Sequence, residues 1–186
     1  MVQNMNYETI KIEKVEKSCP ACEDYAEKHS TDPPKIAVMA CEGACAKGEI
    51  ARIAANLVAH KLARENSVRI CLGSAFTKDT GQRNLVRRAD KAIAIEGCFI
   101  SCSSRMMKGV LPGLIPVIVQ ADMLYDTQID AFGIDEFPEE ELKEHAHEVA
   151  EKVVRDHINN QNAEKGSKDE SGCSPSENKK SCYGGK

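Results

Sequence analysis

Three short apolar runs, each containing or ending at a cysteine, limit the fold of this chain more than any other feature. They are Ile36–Cys41 (IAVMAC), Val68–Leu72 (VRICL) and Ala92–Cys98 (AIAIEGC). Apolar sequence that is continuous rather than alternating is typical of strands buried on both faces, as in a parallel sheet. Because the carboxyl ends of parallel strands share one edge, where ligands bind, cysteines that are far apart in sequence are expected to meet there.

The segments between these runs predict helices, so strands and helices alternate along the chain. Apolar residues recur at helical spacing over residues 49–65, and further helices are expected near residues 83–91, 103–108 and 138–158. A fourth strand is expected at residues 116–121. This alternation predicts an α/β fold, namely a three-layer, Rossmann-like domain with a mostly parallel sheet of about four strands.

Composition divides the chain into three parts. Residues 1–34 form a polar N-terminal segment with the motif Cys19-Pro20-Ala21-Cys22 and one expected edge strand near residues 9–15. Residues 35–158 are the expected α/β metal-binding domain. Residues 159–186 have almost no core-forming side chains and are expected to be a disordered tail. Two further cysteines lie in this tail, Cys173 and Cys182.

Charge and hydropathy exclude two classes of partner. The net charge of −4, without a basic stripe carrying aromatic residues, argues against nucleic acid. No apolar run approaches the roughly 20 residues that cross a bilayer, and the N-terminus lacks the apolar stretch of a signal peptide. No membrane partner and a cytoplasmic location are therefore expected. In that reducing compartment, nine cysteines indicate metal binding or catalysis rather than disulfides.

Five cysteines are candidates for a metal site at the expected edge of the sheet: Cys41, Cys45, Cys71, Cys98 and Cys102. Four of them form two pairs that are four residues apart, a spacing that places both sulfurs on one side of a helical turn. Thiolates suit Zn²⁺, which takes four ligands in a tetrahedron. The competing interpretation is that each cysteine is a small buried apolar residue.

Other chemistries fit the spacing less well. A phosphate loop of the P-loop type fails, because Glu49 stands where that motif needs lysine. An iron–sulfur cluster stays open only with scattered ligands, because Gly48 and Arg105 occupy the positions of a third cysteine in a C-x₃-C-x₂-C motif. The motif Cys19–Cys22 can be half of a zinc site or a redox dithiol. No apolar strand precedes it, which favours a metal-binding or auxiliary role.

Three spaced motifs surround the candidate cysteines: Cys41-Glu42-Gly43-Ala44, then Cys71-Leu72-Gly73, then Ile95-Glu96-Gly97-Cys98 with Cys102. In this combination, over residues 35–133, the chain resembles the DGC-domain family of proposed zinc-binding proteins. The resemblance implies four chelating cysteines: Cys41, Cys71, Cys98 and Cys102. Glu96 replaces the aspartate of the family motif and keeps its charge. Cys45 stands where the family has a small polar residue, so it is expected to be either a fifth ligand or a reactive thiol.

Together these observations predict a cysteine-rich metal-binding protein, with Zn²⁺ as the ion and a role in metal handling or sensing. Two alternatives stay open. The first is an enzyme of thiol, persulfide or methyl-transfer chemistry that uses a metal–thiolate site. The second is an iron–sulfur redox protein. The sequence does not decide whether the chain is an enzyme, and it indicates no particular protein partner.

Overall fold

A parallel sheet forms the centre of the protein. The computed structural model describes residues 7–17, 19–129 and 132–159. Within them lies a four-stranded, all-parallel sheet with the strand order β2-β1-β3-β4. Its strands are β1 (Ile36–Ala40), β2 (Ser67–Arg69), β3 (Ala92–Glu96) and β4 (Val117–Gln120). The predicted α/β fold with a parallel sheet is confirmed.

Helices cover both faces of this sheet. In the described part of the chain the α-helices are α1 (Pro20–Lys28), α2 (Ala46–Leu57), α3 (Leu72–Thr77), α4 (Gln82–Arg88), α5 (Cys102–Val110) and α6 (Glu139–Val153). Two π-helical turns continue α2 and α6, at Val58–Leu62 and Val154–Asn159, and 3₁₀ turns lie at Ala121–Met123 and Ile134–Glu136. Among the helices described, none has the length and apolar character needed to span a bilayer.

Each face of the sheet has its own apolar core, so the predicted three layers are confirmed. Side chains alternate along the strands: Ile93 points into the core shared with α2 and α6, whereas Ala94 points into the opposite core. That opposite core is completed by side chains of α1, α3, α4 and α5, including Met107. The apolar face predicted for the last helix is buried: Leu142, Ala146, Val149, Ala150 and Val153.

The helix predicted at residues 49–65 begins earlier and ends sooner than expected. It starts at Ala46, after Cys45 at the N-cap position, and gives way to a π-helical turn after Leu57. The sequence did not predict a helix start before Gly48, because glycine is unfavourable inside a helix. Here it is required by packing: a Cβ atom on Gly48 would lie 2.8 Å from the carbonyl oxygen of Gly43.

The edge strand predicted near residues 9–15 is wrong. Residues 7–17 form neither strand nor helix, although the Val15 N–H donates to the carbonyl of Thr77. The N-terminal segment instead contributes α1, which begins with proline at its first position and buries Ala26 against the sheet. The expected disordered tail, with Cys173 and Cys182, lies beyond Asn159 and outside the described residues.

Candidate thiol site at the carboxyl edge of the sheet

The strand order creates a switch point between β1 and β3. The chain leaves β1 for β2 on one side, and then crosses to β3 on the other side of β1. In open α/β sheets, ligands bind in the crevice outside the carboxyl ends of the strands at such a point. Cys41 directly follows β1, Cys98 follows β3 by two residues, and Cys71 follows β2. Three of the predicted site residues therefore follow three adjacent strands.

Cys41 is the innermost of these cysteines. Its backbone N–H donates to the carbonyl of Ile95 at 2.9 Å, which extends the pairing of β1 and β3 by one residue, and its side chain is buried. Burial raises the pKa of the Cys41 thiol, and negative charge at Cys102 acts in the same direction. The backbone N–H groups of Gly43 and Gly97 oppose this shift. Amides from two loops therefore face one buried sulfur.

Glycines allow these two loops to approach closely. A Cβ atom on Gly43 would lie 3.3 Å from the sulfur of Cys41 and 3.8 Å from that of Cys45, so both thiols flank this residue. A Cβ atom on Gly97 would lie 2.8 Å from the backbone of the first turn of α2. Because a side chain on Gly97 would collide with this backbone, glycine there allows the loop after β3 to contact the start of α2.

Glu96, at the end of β3, fixes the start of α5. Its carboxylate is fully buried and accepts three hydrogen bonds. These come from the Ser103 N–H at 3.1 Å, the Ser103 hydroxyl at 2.7 Å and the Ser104 N–H at 2.7 Å. A carboxylate at this place satisfies donors that the first turn of a helix leaves unpaired. Glu96 therefore positions the turn that carries Cys102.

The second cysteine pair brackets a tight turn. The Ser101 N–H donates to the carbonyl of Cys98, and Ser101 adopts a left-handed conformation with φ of 54°. Cys102 then opens α5 with an exposed side chain, while Cys98 is half-buried. The Cys102 thiol lies close enough to Cys41 for its charge to act on the Cys41 pKa. This turn thus brings Cys102 toward the buried thiol.

Cys71 lies beside a different set of thiols. It is exposed at the N-cap position of α3, and its thiol is next to that of Cys22. Burial raises the pKa of Cys22 to about 11, and the neighbouring thiols of Cys71 and then Cys19 add to the effect. The buried amide of Gln82 accepts from the Cys71 N–H at 3.2 Å and donates to the Cys22 carbonyl at 3.4 Å. One side chain thus bridges the two backbones.

The motif Cys19-Pro20-Ala21-Cys22 opens α1. Cys19 occupies the N-cap position and is exposed, and the backbone N–H groups of Cys22 and Ala21 lower the pKa of its thiol. The sequence showed no strand before this motif, and the structure has none there. A redox dithiol of this kind follows a strand and opens a helix. The helix is present here, although the sequence did not indicate it.

The described contacts relate the cysteines in pairs. Cys45 and Cys102 are each near Cys41, whereas Cys71 and Cys19 are each near Cys22. In residues 7–17, 19–129 and 132–159, no three Cys, His, Asp or Glu side chains are close enough to hold one ion. The ligand set Cys41, Cys45, Cys71, Cys98 and Cys102 therefore stays a prediction.

Comparison with known proteins identifies the domain that carries these loops. The family model of the DGC domain matches residues 37–155, which is more than half of the chain and spans all four strands. The chain belongs to the DGC-domain family. No curated protein and no solved structure matches it. The match begins inside β1, so the Cys19–Cys22 motif and α1 lie outside the matched residues.

Reasoning from the sequence missed four residues near the candidate cysteines: Gln82, Ser103, Ser104 and Tyr125. Gln82, Ser103 and Ser104 act through contacts that join different elements, and no local motif marks them. Tyr125 has a buried hydroxyl without a hydrogen-bond partner in the described structure, as does Nε2 of His145, whose ring stacks on it at 4.7 Å. Burial raises the pKa of Tyr125, with smaller contributions from Asp122 and Cys45.

Proposed function

We propose that this DGC domain binds a soft metal ion, most readily Zn²⁺, through thiolates at the carboxyl edge of its sheet, and serves in metal handling or sensing. One observation carries the proposal: Cys71, Cys41 and Cys98 follow the adjacent strands β2, β1 and β3 at the switch point. Cys102 supplies a fourth thiol at the start of α5.

The spacing of the strands is compatible with a shared ion. Neighbouring strands lie about 4.8 Å apart, so the ends of β2 and β3 are separated by roughly 10 Å across β1. In a tetrahedral site with Zn–S bonds of about 2.3 Å, sulfurs lie about 3.8 Å apart. Cys71 would have to turn from Cys22 toward Cys41 to join such a site.

The donor set favours a thiophilic ion as cargo. Cys41 is buried and would act as the inner ligand, whereas Cys71 and Cys102 are exposed and offer a route for an ion to enter or leave. The amide groups of Gly43 and Gly97 would stabilise a thiolate at Cys41. Cys45, beside Gly43, is the candidate for a fifth ligand.

The test is a metal titration without air. Reduced, metal-depleted full-length chain is titrated with Zn²⁺ against a chromophoric chelator, and Co²⁺ is used in parallel to report the number of thiolate ligands by absorption. We expect one ion per chain. Cys41→Ser and Cys98→Ser should each lower the affinity by at least about 100-fold, since even outer partners of metal ligands change affinity by 10–100-fold.

Cys19→Ser is the matched control, because Cys19 is an exposed cysteine outside the DGC match. It should leave zinc affinity unchanged. Equal losses in Cys19→Ser and Cys41→Ser, or full affinity in Cys98→Ser, would contradict the proposed site. A brown protein with iron and acid-labile sulfide after anaerobic purification would instead support the iron–sulfur alternative.

A further inference from the structure

Cys22 has two cysteine neighbours from separate parts of the chain, near the carboxyl end of β2. It lies in the first turn of α1, and the thiols of Cys71 and Cys19 are each next to its own. Cys19 and Cys71 are exposed, whereas Cys22 is half-buried. Cys19 and Cys22 lie outside the residues that match the DGC family, whereas Cys71 lies inside them.

A cavity opens beside these thiols. It has a volume of about 550 Å³, and Cys22, Cys71 and Gln82 are among its lining residues. Polar side chains line it as well, among them Arg69, which donates to Glu42 and to Asn56. Tyr25 and His60 complete the lining with aromatic rings. A space of this size and mixed polarity suits a small polar molecule that reaches the sulfurs of Cys22 and Cys71.

We propose that Cys19, Cys22 and Cys71 form a thiol–disulfide exchange site, with Cys22 as the central sulfur and a low-molecular-weight disulfide as the oxidant that enters this cavity. The site requires no metal and extends the chemistry of the chain beyond the proposed metal binding. Because Cys22 is the neighbour of both other thiols, every disulfide formed here includes Cys22.

The reaction balances as two successive exchanges. The exposed Cys71 thiolate attacks one sulfur of the small disulfide RS–SR, which forms a Cys71–S–S–R bond and releases RS⁻. Cys22 then loses its proton to solvent and attacks the Cys71 sulfur, which forms the Cys22–Cys71 disulfide and releases the second RS⁻. Two protein thiols are oxidised, and one small disulfide is reduced to two thiols.

Cys19 completes the exchange without further oxidation. Its thiolate attacks Cys22 in the Cys22–Cys71 disulfide, so the bond moves to Cys19–Cys22 and Cys71 becomes a free thiol again. The Gln82 amide keeps the Cys22 and Cys71 backbones in place during both steps, because it bonds the carbonyl of one and the N–H of the other. Attack on a neighbouring sulfur is then intramolecular, which favours it over attack by a second chain.

The experiment maps disulfides in the full-length chain. Reduced protein, stripped of metal with a chelator, is equilibrated with reduced and oxidised glutathione, quenched with acid and N-ethylmaleimide, and digested for mass spectrometry. We expect Cys22–Cys71 and Cys19–Cys22 as the intramolecular disulfides of the described residues. Cys22→Ser should lower the yield of intramolecular disulfide at least about tenfold and leave glutathione attached to Cys71.

Single variants separate the two pairs. Cys19→Ser should retain only Cys22–Cys71, and Cys71→Ser should retain only Cys19–Cys22. The double variant Cys173→Ser/Cys182→Ser is the control for cysteine removal and should keep both pairs. A first disulfide between Cys41 and Cys45 or between Cys98 and Cys102, or unchanged disulfide yield in Cys22→Ser, would overturn the proposal. The zinc affinity of Cys22→Ser is measured separately, so that an effect on disulfide formation is distinguished from an effect on the metal site.

Discussion

The buried carboxylate of Glu96 allows the sharpest test of how the site is built. Glu96→Gln preserves the shape of the side chain and one oxygen, which can keep the bonds from the Ser103 hydroxyl and the Ser104 N–H. The other oxygen becomes an NH₂ group that faces the Ser103 N–H, so two buried donors oppose each other. We expect Glu96→Gln to destabilise the fold.

The magnitude follows from the three bonds. One buried donor without an acceptor costs about 1–3 kcal/mol, and bonds to a charged acceptor are worth about 1.5–3 kcal/mol against 0.5–1.5 kcal/mol for neutral ones. We therefore expect a loss of about 3 kcal/mol in the free energy of unfolding. For a chain of this size that corresponds to a Tm lower by about 6–12 °C. Circular dichroism during urea and thermal unfolding is the suitable measurement, because the chain has no tryptophan.

Glu42→Gln is the matched control. Glu42 also adjoins a motif cysteine, but its side chain is 41% exposed, and its partner Arg69, which is 10% exposed, donates to Asn56 and to the Ile70 carbonyl as well. Glutamine keeps an oxygen that accepts from Arg69, so we expect this variant to lose no more than about 1 kcal/mol, less than Glu96→Gln. Glu96→Asp, which keeps the charge, should lose less than Glu96→Gln. If Glu96→Gln and Glu42→Gln unfold at the same urea concentration, the capping role assigned to Glu96 is incorrect.

Three further predictions concern packing and protonation. The pKa of Cys22 is raised to about 11 and that of Cys19 is lowered, so iodoacetamide should label Cys19 first near pH 8. Labelling of Cys22 should rise only as the pH passes from 9 toward 11. Equal labelling rates at pH 8, measured by peptide mass spectrometry, would contradict this prediction. Gly97→Ala places a methyl group 2.8 Å from backbone atoms and should lower the free energy of unfolding in urea by about 1–3 kcal/mol. Gly73 lies inside α3, and a methyl group there would have no atom within 4 Å, so Gly73→Ala should be neutral or stabilising by up to about 1 kcal/mol. Tyr125→Phe removes a buried hydroxyl that lacks a partner among the described residues and should leave Tm unchanged or raise it; a clear decrease would indicate that this hydroxyl is satisfied by bound water.

The sheet was predictable because its signal is local. The runs that begin at Ile36 and Ala92 predicted β1 and β3 from their first residues, and the cysteines at their ends follow these strands at the carboxyl edge. The strand order was not readable, since pairing depends on contacts between distant segments. β2 was predicted too long, because the apolar run through Leu72 continues into α3, where Cys71 is the N-cap.

Which thiols are neighbours was less predictable than their position at the carboxyl edge of the sheet. The family resemblance grouped Cys71 with Cys41, Cys98 and Cys102 as ligands, which stays a prediction, and it gave no sign that α1 places Cys22 beside Cys71. α1 has a polar sequence and a single buried alanine, so its amphipathic signal is weak. Glu96 was identified as a functional candidate, yet its partners Ser103 and Ser104 lie seven and eight residues away on another element. Tertiary contacts of this kind have no fixed spacing in the sequence.

Cys71 stands at the boundary between the DGC motif and the N-terminal helix, and its sulfur can form only one strong bond of either kind at a time. If both proposals hold, zinc bound through Cys71 and the Cys22–Cys71 disulfide exclude each other, whereas the Cys19–Cys22 disulfide leaves the Cys71 thiol free to bind. Cellular redox poise and the exchange between the two disulfides would then set the fraction of chains able to accept an ion, and formation of the Cys22–Cys71 bond would release zinc without any change in its concentration.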